Sequence, residues 1–152
     1  MGTKGWAIVG VAAAIVVFYF SWTMFLSPEA RVERTLRAVA TAGERVDAAT
    51  FLSFFDTSYT DYLHPDRATF VERIEAAFER VDGLNVTIRA IDVSVDDEGA
   101  EARFELVVVA IRGEDRMLVV GTPFQPELVR ATLRRDGSTW NIVRVDRGLA
   151  EQ

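Results

Sequence analysis

Hydrophobic positions along the chain follow three different rules in succession. Residues 6–26 are apolar almost without a break; residues 28–81 repeat apolar positions every three or four residues; residues 84–146 alternate. The first soluble stretch opens on Ser27-Pro28-Glu29, where a hydroxyl can cap free amides, a proline costs no hydrogen bond and a carboxylate suits the positive end of a helix. Val32, Leu36, Val39, Ala40, Gly43 and Val46 then keep helical spacing. Asp47 caps a second predicted helix carrying Phe51, Leu52, Phe54, Phe55, Tyr59, Tyr62 and Leu63. A third follows His64-Pro65-Asp66, with Phe70, Val71, Ile74, Ala77, Phe78 and Val81 on one face, and ends at Asp82-Gly83.

From Leu84 the period is two. Leu84, Val86 and Ile88 share one parity and Ile91, Val93 and Val95 the other, so a common inward face requires one extra residue near Ala90, which is a β-bulge. Asp96-Asp97-Glu98-Gly99 turns the chain into a strand over residues 100–112, and Gly113-Glu114-Asp115 turns it again. The next strand starts at Met117, is interrupted by Pro123-Phe124-Gln125-Pro126, since prolines cannot donate to a ladder, and resumes at Leu128. Asp136-Gly137 marks a hairpin into a last strand bearing Trp140, Ile142 and Val145. The pattern predicts an α+β domain of three helices on a curved, four-stranded antiparallel sheet.

Composition adds location. The 152 residues carry a net charge of −6, yet Lys4 is the one charged side chain before residue 27. A helix over residues 6–26 would span roughly 30 Å, the thickness of a bilayer core, with Trp6 at one end and Tyr19 and Trp22 near the other suited to the two interfaces. Three parts follow: a tail over residues 1–5, a transmembrane helix over 6–26 and a domain over 27–152. Bulky Met24, Phe25 and Leu26 at the end of the span argue against a cleaved signal peptide. Arg31, Arg34 and Arg37 favour retention of the domain on the cytoplasmic side, whereas the short leading tail favours its export; the expectation adopted is export. An acidic domain repels phosphate backbones, which disfavours a nucleic-acid partner. With no cysteine, disulfides, thiolate catalysis and zinc ribbons are excluded.

The helix end Gly43-Glu44-Arg45-Val46-Asp47, the run Phe51-Leu52-Ser53-Phe54-Phe55-Asp56 with Tyr59, the strands Ile91-Asp92-Val93-Ser94-Val95 and Ala100-Glu101-Ala102, and the closing Leu133-Arg134-Arg135-Asp136-Gly137-Ser138-Thr139-Trp140-Asn141-Ile142 together resemble the nuclear transport factor 2-like (cystatin-like, SnoaL-like) superfamily over residues 29–147. The resemblance implies a sheet wrapped into a cone around the helices. It implies no single function, because that superfamily includes isomerases, dehydratases, transport factors and scaffold domains. A membrane span ahead of such a domain is similar to scaffold subunits of bacterial envelope machines, which implies protein binding.

The candidate sites follow from these readings. One is a cavity inside the cone, lined by Asp56, Tyr59, Tyr62 and Trp140, in which a buried Asp56 would have a raised pKa suited to proton abstraction in an isomerase- or dehydratase-type enzyme or a small-molecule carrier. Against it, Asp56 and Asp61 on the solvent side would leave the aromatics to fill the core. His64, the only imidazole, has Asp61 and Asp66 nearby in sequence and could be a general base, although a lone loop histidine is more often solvated or capping. The other site is an interface: residues 106–111 and 118–120 are apolar on both parities, so Val107, Val109, Ile111, Leu118 and Val120 call for cover, from residues 123–126 or from a second copy or other protein partner. Asp96-Asp97-Glu98 could attract calcium but reads as a solvated turn. Asn85-Val86-Thr87 matches a glycosylation acceptor inside a predicted strand, and Gly10 and Ala14 have the spacing of close helix contact. No cofactor, metal site or catalytic residue is expected. The leading expectation is a membrane-anchored, non-enzymatic interaction domain, self-associating through its sheet face; the alternative is the small-molecule cavity.

Overall fold

The computed structural model of the chain describes Ala14, Ile15 and residues 27–148. The expected membrane span over residues 6–26 thus lies outside the described residues, except for Ala14 and Ile15, which are helical and exposed. Among the described residues no helix is long and apolar enough to cross a membrane.

Helix α1 (Pro28–Glu44) starts as its sequence dictates, with Pro28 in the first turn and Ser27 Oγ accepting from the Ala30 amide at 3.2 Å. Val32 and Leu36 lie on its buried face. The helix ends in a left-handed residue: Val46 has φ 50°, its amide donates to Gly43 O, and the Asp47 amide donates to Ala42 O. Asp47 then caps α2 (Ala48–Ser53) through the Thr50 amide, and Asp66 caps α3 (Arg67–Phe78) through the Thr69 amide.

The second predicted helix is corrected at this point. After six residues α2 gives way to strand β1 (Phe55–Thr60), which pairs in parallel with the last strand, Phe55 opposite Ile142. A spacing of four residues is close to one helical turn and is also two strand repeats, so Phe55 and Tyr59 share a face in either conformation. Thr57, Ser58 and Thr60, poor helix formers, settle the choice.

Among the described residues the sheet therefore has six strands and is mixed, instead of four and antiparallel. With β2 (Gly83–Val95), β3 (Ala100–Arg112), β4 (Asp115–Val120), β5 (Glu127–Asp136) and β6 (Thr139–Arg147), its order is β1-β6-β5-β3-β2. β4 and β5 share one side of β3: β5 pairs with residues 100–106 and β4 with residues 108–112. They are the predicted proline-interrupted strand, broken over residues 121–126. Gly121 makes the break, since its φ is 58° and a Cβ there would stand 2.7 Å from Leu106 O.

One face of the curved sheet holds the core. Ala100, Ala102 and Phe104 of β3, Val129, Ala131 and Leu133 of β5, and Trp140 and Ile142 of β6 join Val32, Leu36, Leu52, Phe55, Tyr59 and Phe70 in a single buried cluster. Fully burying one of the larger of these side chains stabilises the fold by about 1.5–3 kcal/mol. The domain is α+β, three described helices against a curved mixed sheet.

The predicted bulge is present. Pairing of β2 with β3 slips between Arg89 and Asp92, and Ala90 sits there at φ 51°, exposed to solvent. A left-handed residue with a Cβ is strained by about 1–2 kcal/mol, more for a β-branched side chain. Strand propensity would favour valine over glycine at this position; the bulge reverses that order. In urea titrations Ala90→Gly is expected to stay within about 0.5 kcal/mol of the parent, and Ala90→Val to lose about 1–2 kcal/mol. A more stable valine variant would mean that the strand runs through without the bulge.

Candidate functional site

Aromatic rings lead from the centre of the core to one surface connection. Phe51 packs on Phe55 and Phe78, Phe55 on Tyr59 and Phe70, and Tyr59 on Phe70, with ring centroids 4.4–5.3 Å apart. The last ring contact is polar. His64 stands edge to face with Phe70 at 5.3 Å, in the connection between β1 and α3.

Asp61 organises that connection. Its carboxylate accepts from the Tyr59 hydroxyl at 2.7 Å, from the amides of Leu63 and His64 at 2.8 and 2.7 Å, and from His64 Nδ1 at 2.9 Å from either oxygen. Its own amide donates to His64 O, closing the turn on itself. Burial pushes the Asp61 carboxyl up, but the hydrogen bonds from His64, Tyr59 and the two amides outweigh it and hold the pKa below the ordinary value. Burial, reinforced by the bond to Asp61, drives the Tyr59 phenol far up, so its proton stays in place.

The consequence falls on His64. A carboxylate can only accept, so the imidazole presents Nδ1–H to it, and Nε2 of the neutral ring carries the free lone pair. The His64 side chain is 14% exposed and that of Asp61 10%. The arrangement is an imidazole held by a carboxylate, with an aromatic ring against its edge.

The four residues proposed to line a cone cavity do not come together. Tyr59 and Trp140 are in the buried cluster, while Tyr62 is 77% exposed. Asp56 lies on the other face of β1 from Phe55 and Tyr59. There it accepts from Ser58 Oγ at 2.6 Å and the Ser58 amide at 2.9 Å, with Arg134 Nη1 3.8 Å away. The Ser58 hydrogen bonds lower its pKa, against burial and with help from Arg134 and Arg67, which corrects the raised value expected for a buried base. Asp61 also departs from expectation: it faces inward, under Tyr59, not outward. The motif was visible as Tyr59-x-Asp61-x-x-His64, but only the bend after β1 turns the carboxylate beneath the phenol.

Of the five interface candidates, Val107 is buried within the chain, Val109, Ile111 and Val120 are half-buried, and Leu118 is 56% exposed. Among the described residues the second apolar face is therefore largely covered at β3 and exposed at β4.

A groove of about 650 Å³ lies elsewhere, on the face of the sheet away from the core, lined by Asp92, Ser94, Glu101, Arg103, Thr132 and Arg134 among others. Glu101 bridges its wall, 2.9 Å from Arg103 Nε and 3.6 Å from Arg130 Nε. At its end Asp96 accepts from the Glu98 and Gly99 amides, so the carboxylate of the acidic turn serves the turn itself. Among the described residues no group of three or more His, Asp or Glu is placed to hold a metal ion.

No family model and no curated protein matches this sequence. Solved structures do share its architecture. A candidate aromatic ring hydroxylase from Novosphingobium aromaticivorans superposes with a TM-score of 0.66 at 15% identity, over 80% of this chain and 88% of that one. A candidate dehydratase of the NTF2-like family from Streptomyces avermitilis gives 0.65 at 16%, over 80% and 96%. The Bdellovibrio bacteriovorus protein Bd1075 gives 0.64 at 9%, where this chain spans 77% of its own length and only 40% of the other. At such identities the likeness concerns the backbone, and the chain has the fold of the nuclear transport factor 2-like proteins.

Proposed function

We propose that the domain binds a small, mostly apolar molecule beside the aromatic rings and that His64 Nε2 moves a proton on it. The observation that carries this reading is the Asp61–His64 contact, with Nδ1 at 2.9 Å from both carboxylate oxygens. A fixed tautomer and a fixed ring plane are what a general base needs and what a solvated loop histidine lacks. The chemistry this supports is abstraction of a proton next to a carbonyl, leading to isomerisation or loss of water. The name of the Streptomyces structure, a candidate dehydratase, agrees with that class. In this reading Asp61 positions the base, Tyr59 anchors Asp61 to the core, and Phe70 supports the imidazole. Residues 6–26 tether the domain to a membrane, with the domain on the exported side.

Two experiments address the two roles. The base is tested with a benzo-fused cyclic ketone, 2-tetralone, whose α-proton exchange into D₂O is followed by NMR at neutral pH. The parent protein is expected to exceed buffer, and His64→Gln, folded by circular dichroism, to lose about 10²-fold or more of the excess. Equal rates for parent and variant would remove His64 from the chemistry.

The clamp is tested through stability. The Asp61 carboxyl titrates below its ordinary 3.8 when folded, so its contribution is complete above that value and is lost as pH falls through the folded pKa. Asp61→Asn should therefore cost about 1–3 kcal/mol at pH 7, and the gap from the parent should close below about pH 4. A gap that persists undiminished in acid would show that the charge of Asp61 contributes nothing to the fold.

A further inference from the structure

Three exposed apolar side chains bracket the imidazole in the turn between β1 and α3. Tyr62 is 77% and Leu63 51% exposed, and Pro65 is exposed as well, while the imidazole between them is largely buried. Turns are ordinarily polar, because Asn, Asp, Ser and Gly satisfy a tight backbone. Here Asp61 and Asp66 meet that need, Asp61 by accepting from the amides of Leu63 and His64 and Asp66 by accepting from the Thr69 amide. With two of its amides bonded to Asp61, the turn has one shape. Tyr62 and Leu63 thus form an apolar rim in a fixed place beside His64.

The charge of the turn has one sign. Asp61 stands three residues before His64 and Asp66 two after it. Both stay ionised at neutral pH: burial opposes the charge of Asp61 but its hydrogen bonds outweigh it, and the bonds from Thr69 lower Asp66. The arginines of the flanking elements are engaged elsewhere. Arg144, opposite Thr60 on β6, holds Asp146 at 2.9 and 3.0 Å, and Arg147 lies 3.9 Å from Glu127. Arg67 Nη2 donates to Leu52 O at 3.3 Å, and Arg73 is about 9 Å further along α3 than Arg67. We propose that Tyr62 and Leu63 set the specificity of the His64 site, holding an uncharged, ring-bearing ketone beside the imidazole while Asp61 and Asp66 repel carboxylic acids and phosphate esters. The proposal rests on His64 as the base and narrows its substrate from mostly apolar to uncharged.

The test compares two ketones on the full chain in non-ionic detergent: 2-tetralone, and 2-tetralone bearing a carboxylate on its benzo ring. Binding is read from the amide shifts of residues 61–66 against free ketone, and chemistry from α-proton exchange into D₂O. The parent is expected to bind the neutral ketone about tenfold or more tightly than the acid, the effect of one carboxylate about 7 Å from the anion at an intermediate dielectric. Leu63→Lys, at an exposed position, should keep the circular dichroism and Tm of the parent and bring the two affinities within about threefold of each other. Leu118→Lys, the same charge on β4, should leave the preference as it is. His64→Gln should keep the preference in binding and lose the exchange. A parent that binds both ketones alike, or neither, overturns the proposal, as does a Leu63→Lys variant with the parent's preference or a Leu118→Lys variant without it. Exchange that survives His64→Gln with the preference intact removes the base but upholds the rim as the selector of uncharged ligands. Should Leu63→Lys fail to fold, Tyr62→Lys, at the more exposed position, carries the same expectation.

Discussion

The sheet can bend around its helices only if its concave face is small where the helices come closest. Ala102 of β3 and Ala131 of β5 are direct partners in the ladder, 0% and 1% exposed, and Ala100 is paired with Leu133. Larger side chains at both alanines would overfill a cluster in which Val32 is already 0% exposed. Around this shallow centre the bulk is supplied by Phe104, Leu133, Trp140 and Ile142, so small and large residues alternate across the strands and interdigitate with the helices. The bulge at Ala90 and the break at Gly121 serve the same requirement. Each bends a strand flanking β3, where the ladder would otherwise stay straight.

This packing also explains why the polar cluster is where it is. Among the described residues no polar or charged one is buried, and the phenol of Tyr59, 2% exposed, is the polar group carried deepest by the aromatic set. A buried hydroxyl without a partner costs about 1–3 kcal/mol. Asp61, two residues on at the rim, accepts its proton and is itself held by two amides and an imidazole. One carboxylate thus satisfies the core, closes the turn after β1 and orients His64. Structural need and chemical use coincide in the same side chain, so loss of stability and loss of proton transfer must be measured separately in any variant of it.

Elements with one dominant local signal were legible in the sequence. Ser27, Asp47 and Asp66 announced three helix starts, the parity flip placed the bulge at Ala90, and the two prolines placed the break between β4 and β5. Strand β1 was not legible, because its register with β6 is a long-range fact and its aromatic spacing serves two periods at once. The site was legible in part for the same reason. Asp61 and His64, three residues apart, would be neighbours on a helix as well, but only the turn after β1 also brings the Tyr59 hydroxyl, two residues from Asp61, onto the same carboxylate. Asp56 shows the converse: three residues before Tyr59, it would lie near the tyrosine on a helix and lies across the sheet from it on a strand.

The same parity governs the edges. A strand with one free side is stable in isolation only if its open amides are hidden or made unattractive to other strands. β2 is long, but the bulge twists its middle, and Arg89 and Asp92 place charges on either side of it. β1 is short, and alternates buried Phe55 and Tyr59 with exposed Thr57, Ser58 and Thr60. β4 has neither device: its charges sit at one end, at Asp115 and Arg116, and four apolar residues follow without a bulge or a proline. Among the described residues β4 is thus the edge strand that charge, bending and polarity protect least.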